Sequence, residues 1–216
     1  MRNVVIIGSG AHAAEIESYI LDNNRLNCEI NIIGFVSENN ELHQKYSLIS
    51  PFLGSEFNSK FKRRDIEIIL GFSNIKGRTL AIEKYKREGY KFATFIHHTS
   101  YIFHSAKIGE GCIICPYCQI GPNVSIGNFN TLNNKVNVGH DTILGENNVI
   151  SPNVGFSGNT KIENNNFFSI NSATIPNVKI GSNNVIAPNM VVEKNIDSDS
   201  TYFHRYKETV LAIPKL

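Results

Sequence analysis

Residues 102–144 read IFHSAKIGEGCIICPYCQIGPNVSIGNFNTLNNKVNVGHDTIL, and every sixth residue is an aliphatic anchor. Carried to residue 192, the column is Ile102, Ile108, Ile114, Ile120, Ile126, Leu132, Val138, Leu144, Ile150, Phe156, Ile162, Phe168, Thr174, Ile180, Ile186 and Val192: fifteen of sixteen are apolar, with no slip of phase. A helix repeats its apolar face every three or four residues and a half-buried strand every two, so period six fits neither. It fits a short strand plus a corner, with three such hexads closing one triangular coil. Stacked coils pair their strands in parallel, about 4.8 Å apart. Residues 102–192 supply about five coils, and each is stable only against its neighbours.

The corners support this reading. Four residues past an anchor the side chain is small or compact, as at Ala106, Cys112, Cys118, Val124, Val136, Thr142, Val154, Thr160, Ser172 and Val178. Glycine follows many anchors (Gly109, Gly121, Gly127, Gly139, Gly145, Gly181), and Asn crowds the corners. Both tolerate positive φ, so both read as corner residues. Cys112, Cys115 and Cys118 have cluster-like spacing, but they fall in phase with the repeat and have no fourth ligand nearby. They read as small apolar residues in a tight coil.

Ahead of the repeat the pattern changes. Residues 3–7 (Asn-Val-Val-Ile-Ile) form a buried strand, followed by Gly8-Ser9-Gly10-Ala11-His12-Ala13 and a helix-compatible stretch from Ala14 to Leu21. Further strands are expected near Ile30–Val36, at Ile66–Leu70 and at Phe92–Ile96, with a helix near Arg78–Glu88. This is a small α/β Rossmann-like domain. Its glycine turn opens a helix whose N–H groups can hold phosphate. At some 95 residues it is half a dinucleotide fold. Its second strand ends at Val36-Ser37, with Glu38 just beyond, so no acidic residue stands at the strand end. A nicotinamide cofactor fits that poorly, and a purely structural turn is a second possibility. The diphosphate of a nucleotide-linked sugar suits the half-size best, with Gly8, Gly10 and His12 as contacts and Ser37 and Asn74 at later strand ends.

A net charge of +2 over 216 residues gives no case for nucleic acid or an anionic membrane as partner. No apolar run reaches the roughly 20 residues of a membrane span, and no signal peptide precedes the first strand. A cytoplasmic location is expected. The resulting domains are 1–97 (α/β, nucleotide-sugar-binding), 98–197 (coil stack) and 198–216 (tail).

The repeat resembles the hexapeptide-repeat acyltransferase superfamily. The resemblance implies a left-handed parallel β-helix and a homotrimer with active sites between subunits. Spacing cannot supply the hand, and the general rule for parallel crossovers favours the opposite one. Both domains together resemble the acetyltransferases of nucleotide-linked 4-amino sugars and the related sialic acid O-acetyltransferases. The likeness lies in Ile6-Ile7-Gly8-Ser9-Gly10-Ala11-His12, Gly71 to Asn74, Phe95-Ile96-His97 and Gly139-His140-Asp141. It implies acetyl-CoA as co-substrate and N-acetylation of a nucleotide-linked amino sugar (4-amino-4,6-dideoxy type) in bacterial surface glycan biosynthesis. Alternatives are O-acetylation of a sugar such as sialic acid, or a non-catalytic nucleotide-sugar-binding protein.

Acetyl transfer needs a base, an oxyanion donor and two aligned substrates. His140 is followed by Asp141, which can orient its ring. The resemblance makes His140 the general base and Asp141 its partner. Gly158, one coil after His140, matches a family glycine whose N–H faces the thioester carbonyl. Ile170 and Ala187 match coenzyme-binding positions, and Ser151, Ser169 and Ala187 recur once per coil as a possible groove. His104 shares the corner of His140 two coils away, about 10 Å, which is too far to share a metal, so no metal is expected. Direct attack in a ternary complex is favoured, since no cysteine stands beside His140. Val149 replaces a histidine common in the family. The tail, with Tyr202-Phe203-His204-Arg205, departs from the family's ending; it either caps the last coil or meets the coenzyme's adenosine end.

Overall fold

The computed structural model describes residues 1–27, 29–55 and 65–203. The strand β1 (Arg2–Ile7) lies at the centre of a five-stranded parallel sheet. On one side are β2 (Ile30–Val36) and β3 (Phe52–Gly54); on the other are β4 (Glu67–Leu70) and β5 (Lys91–Phe92). A parallel strand covered on both faces reads as a continuous apolar run, and Val4, Val5 and Ile6 are fully buried. Alternation sends Val4 and Ile6 against helix α1 (Ala11–Asn24), with Ile16 and Ile20. Val5 and Ile7 face the layer of helix α3 (Ile75–Arg87), with Tyr85.

Strand β3 and the short helix α2 (Glu41–Lys45) lie in a stretch too polar and aperiodic to announce them. The strand expected over 92–96 is two strands. Lys91–Phe92 pairs with β4, while Phe95–Ile96 pairs with Ile113–Ile114 in the coil stack. The chain turns at Ala93-Thr94, whose groups bond to both units: Ala93 N–H donates to the Ile68 carbonyl and the Thr94 hydroxyl to the Gly109 carbonyl.

The repeat folds into three parallel faces of short strands, and in the regular coils each strand pairs with the one three hexads further along. The first face runs from Phe95–Ile96 to Thr201–Tyr202 in seven strands. The second runs from Tyr101–Ile102 to Val191–Val192 in six, and the third from Lys107–Ile108 to Lys179–Ile180 in five. The anchors fill the interior. The stack therefore outruns 102–192 at both ends. It closes with a shortened coil, in which Ile180 meets Ile196 and Val185 meets Thr201 before the regular spacing is complete. The beginning of the expected tail is thus the last coil strand; residues 204–216 lie outside the described residues.

The corners divide their work differently from the expectation. Positive φ recurs every sixth residue from Tyr117 to Asn189, and most of these residues are Asn, with Asp at 141. The glycines after anchors have no positive φ. They are required by close approach of the next coil: a Cβ on Gly121 would stand 3.0 Å from His140 N, and one on Gly139 would stand 2.7 Å from Gly158 N. The compact interior column also carries Asn130, Asn148, Asn166 and Asn184, all buried. Their side-chain oxygens accept the N–H one coil on, in an unbroken ladder ending at Ser200. Cys112 and Cys118 belong to the same interior. Cys115 points outward into the front core beside Phe95 and Ile113.

The front unit covers the early coils on the first face. There the outward residues Ile113, Thr131 and Val149 are buried, while Val185, further down, is 43% exposed. Arg78 of α3 fixes this junction. It is fully buried and donates from Nε to Asn147 Oδ1 (3.0 Å), from Nη1 to the Phe72 carbonyl (3.0 Å) and from Nη2 to the Phe129 carbonyl (2.6 Å). Burial pulls its pKa down to about 10, so it remains a cation at neutral pH.

Candidate active site

His140 stands on the corner between the second and third faces, after the strand Asn137–Val138. Its Nδ1 lies 2.8 Å from Asp141 Oδ2, and both side chains are about half exposed. Asp141 occupies the left-handed corner position, φ 57°, which turns its carboxylate back beside the preceding ring. Asn123, one coil earlier, donates to Asp141 Oδ1 at 3.1 Å. The His140 hydrogen bond, then that of Asn123, holds the Asp141 carboxyl below the usual carboxylate range. An anion facing Nδ1 favours the tautomer with its proton there, leaving a lone pair on Nε2.

Gly158 lies one coil on. A Cβ there would stand 2.6 Å from both Cε1 and Nε2 of His140. Only a residue without a side chain lets the imidazole rest against this backbone. Among the described residues the Gly158 N–H has no hydrogen-bond acceptor. His140, Asp141 and Gly158 are thus brought together as the sequence reading expects. The remaining coil positions are not. Ile170 (44% exposed) and Ala187 lie past first-face strands, on the corner between the first and second faces. One molecule cannot bring its own Ile170 and Ala187 to its own His140 corner along a single edge. Val149 is buried on the first face, away from that corner.

In the front unit the strand order reverses at β1 and β4, and such switch points open a crevice at the strands' carboxyl ends. A cleft of about 530 Å³ lies there, lined by Gly8, Gly10, His12, Ser37, Gly71 and Phe72 among others. Gly8 has φ 97° and Phe72 3.2 Å from its would-be Cβ, so glycine is required there by shape. Gly10 caps α1 and meets nothing closer than Leu42, at 3.8 Å; its bare edge faces the cleft. Ser9 Oγ and Ser37 Oγ are 2.8 Å apart. His12 Nδ1 is 3.4 Å from Glu15 Oε2, while its Nε2 is buried without a partner. Asn74 is elsewhere: it caps α3, accepting from Gly77 N–H at 2.8 Å, and lines a separate cleft of about 790 Å³ against Phe167 and Val185. Sequence reasoning missed Phe72 as a cleft wall and Arg78 as the latch. An arginine on an amphipathic helix gives no sign of full burial.

No protein-family model matches the chain, and comparison with curated proteins finds no match. Solved structures do match. The stacked parallel faces match the arrangement of a left-handed β-helix, and the chain has the fold of hexapeptide-repeat sugar acetyltransferases. PerB from Caulobacter crescentus, solved with CoA and GDP-perosamine, superposes with a TM-score of 0.81 at 20% identity, covering 93% of each chain. The acetyltransferase domain of PglB from Neisseria gonorrhoeae superposes at 0.78 and 19% identity, covering 93% of this chain and 97% of that one. WeeI from Acinetobacter baumannii gives 0.78 at 18%, covering 93% and 96%. No helix among the described residues is long and apolar enough to cross a membrane.

Proposed function

We propose that the chain is an acetyl-CoA-dependent N-acetyltransferase of a nucleotide-linked amino sugar, of 4-amino-4,6-dideoxy type, serving bacterial surface glycan synthesis from the cytoplasm. The observation that carries this is the His140–Asp141–Gly158 corner. The fold shared with enzymes solved with CoA, acetyl coenzyme A and GDP-perosamine supports donor and acceptor. His140 Nε2 takes the proton from the attacking amine as its nitrogen forms a bond to the thioester carbon. Asp141 holds the opposite side of the ring and favours the imidazolium. The Gly158 N–H donates a hydrogen bond to the developing oxyanion. When the C–S bond breaks, the coenzyme thiolate leaves and recovers the proton from His140. Acetyl-CoA supplies the acyl group, and no acyl-enzyme is formed.

The front α/β unit, residues 1–94, is a Rossmann-like sugar-nucleotide domain. Gly8 and Gly10 let a diphosphate approach the first turn of α1, His12 Nε2 finds its missing partner in the ligand, and Ser37 closes the rim. The coil stack, from Phe95 to Tyr202, is the catalytic unit. A homotrimer reconciles the two edges: Ile170 and Ala187 of one copy would meet the His140 corner of another and hold pantetheine between them. Exposed apolar side chains on the coils, among them Ile143 (47%), Ile175 (39%) and Val191 (43%), support such packing.

The test is thiol release from acetyl-CoA over a panel of nucleotide-linked amino sugars, for wild type and His140→Ala. Turnover on one amino sugar with a loss of about 10²–10⁴-fold in the variant supports the reading. Release only with hydroxyl acceptors replaces N- by O-acetylation, and no release with no coenzyme binding overturns the enzyme assignment.

A further inference from the structure

Asp22, in the last turn of α1, and His97–His98, just past the strand Phe95–Ile96, place three ligand atoms within 4.8 Å of one another. His97 Nε2 is 3.3 Å from Asp22 Oδ2, and His98 Nδ1 is 3.9 Å from the same oxygen. Asn23 Oδ1 lies 2.9 Å from His98 Nδ1. Donors around a four-coordinate zinc ion, with metal–ligand bonds of about 2.0–2.1 Å, stand roughly 3.3–3.4 Å apart. One edge of that tetrahedron is already at length, and the second has about half an ångström to close.

The surroundings suit a bound histidine. His97 is buried, with Tyr19 edge-on at 5.7 Å and Phe95 at 6.4 Å. Its Nδ1 is 2.8 Å from the Thr99 hydroxyl, the outer partner that fixes the ring of a metal-bound histidine. The Thr99 N–H also donates to Nδ1 at 3.3 Å, so the Thr99 backbone and hydroxyl together hold the ring with Nε2 toward Asp22. Arg25, 81% exposed, approaches Asp22 Oδ1, at 3.6 Å, on the side away from the two imidazoles that face Oδ2.

We propose that Asp22, His97 and His98 bind one divalent transition-metal ion, with the Asn23 amide oxygen or a water as fourth ligand. Two imidazoles and one carboxylate select zinc, cobalt or nickel over the all-oxygen shells of magnesium and calcium. The ion ties the end of α1 to the first coil, on a different corner from His140. The sequence could not show it, because Asp22 and His97 lie far apart along the chain, in different units.

The test is titration of the chelator-stripped full chain with Zn²⁺, and with Co²⁺ for its ligand-field absorption. One ion per chain is expected at micromolar affinity or tighter, with the intense visible bands of a four-coordinate cobalt site and a higher melting temperature. His98→Ala and Asp22→Asn should each weaken binding at least tenfold, and His104→Ala should leave it unchanged. His98→Gln serves if circular dichroism shows that His98→Ala does not fold. No bound ion at 100 µM Zn²⁺ (roughly the weakest affinity that would matter), or equal affinity in both ligand variants, overturns the proposal.

Discussion

Gly158 supports the imidazole of His140 from below: a Cβ added to the glycine would stand 2.6 Å from Nε2, the nitrogen proposed as the base. Gly158 does not have a positive φ, so its backbone accepts alanine, and the conflict falls on the half-exposed ring. Gly158→Ala should therefore fold normally, with a melting temperature within about 2 °C of wild type. Its kcat should fall roughly 10- to 100-fold, the 1.4–2.8 kcal/mol of a displaced base. Thiol-release kinetics beside a thermal melt decide this, and an undiminished rate would separate Gly158 from the reacting pair.

Asp141 does two jobs that one substitution can separate. Its left-handed corner is filled by Asn at most equivalent positions, so Asp141→Asn keeps the conformation and removes only the charge. The carboxyl is held below its ordinary pKa, so any stability it adds is present at neutral pH and is lost only as acid protonates it. Melting at pH 7 should fall in Asp141→Asn only by what this exposed carboxylate contributes, a small shift that vanishes in acid, while kcat drops about tenfold or more. Asp141→Ala should lose about as much rate and in addition about 1 kcal/mol of stability, since alanine resists positive φ. Equal melts for the two variants would refute the division.

The coil stack was legible because its interior anchors are dictated by one geometric period, and Ile102 to Val192 obey it without regard to anything distant. What hid from the sequence depends on contacts between units. Thr131 and Val149 sit at normally exposed strand positions yet are buried, because the front unit lies over them. Glycines such as Gly139 read as flexible corners but are small for the sake of the next coil's backbone. The His140–Asp141 pair was legible because its members are adjacent and Gly158 follows at the coil period. Ile170 and Ala187 stand 30 and 47 residues past His140, neither a whole number of 18-residue coils, so they fall on another edge. The Asn130-to-Asn184 ladder escaped because polar side chains in an apolar column look like exceptions until their hydrogen bonds are seen.

The three described cysteines should resist alkylation in the native protein. Burial pushes the Cys112 and Cys118 thiols to about 11, and Cys115 well above its ordinary value. With a pKa near 11, only about one thiol in a thousand is ionised at pH 8. Iodoacetamide at pH 8, followed by peptide mass spectrometry, should leave all three unmodified until guanidinium is added. Labelling of Cys115 alone under native conditions would mean that the front unit lifts from the first coil without global unfolding.

Arg78 is the most demanding test of the junction. Its guanidinium is surrounded by two carbonyls and one amide oxygen, from Phe72, Phe129 and Asn147, all neutral. Charge-assisted bonds to neutral acceptors contribute about 1.5–3 kcal/mol each, and a buried acceptor left unpaired costs about 1–3 kcal/mol. Arg78→Met keeps much of the volume and removes every donor. It should destabilise by roughly 3 kcal/mol or more, lowering the melting temperature by about 6–12 °C. Arg78→Lys keeps the charge but cannot span three acceptors, so it should fall between Met and wild type. Because the acceptors come from both units, hydrogen exchange in Arg78→Met should rise first at Phe129 and Asn147 and along α3, with the distant coils still protected. A melt of Arg78→Met within about 1 °C of wild type would show that desolvating the cation cancels its hydrogen bonds, and that apolar packing of Phe129 against Phe92 (ring centroids 5.0 Å apart) holds the junction instead.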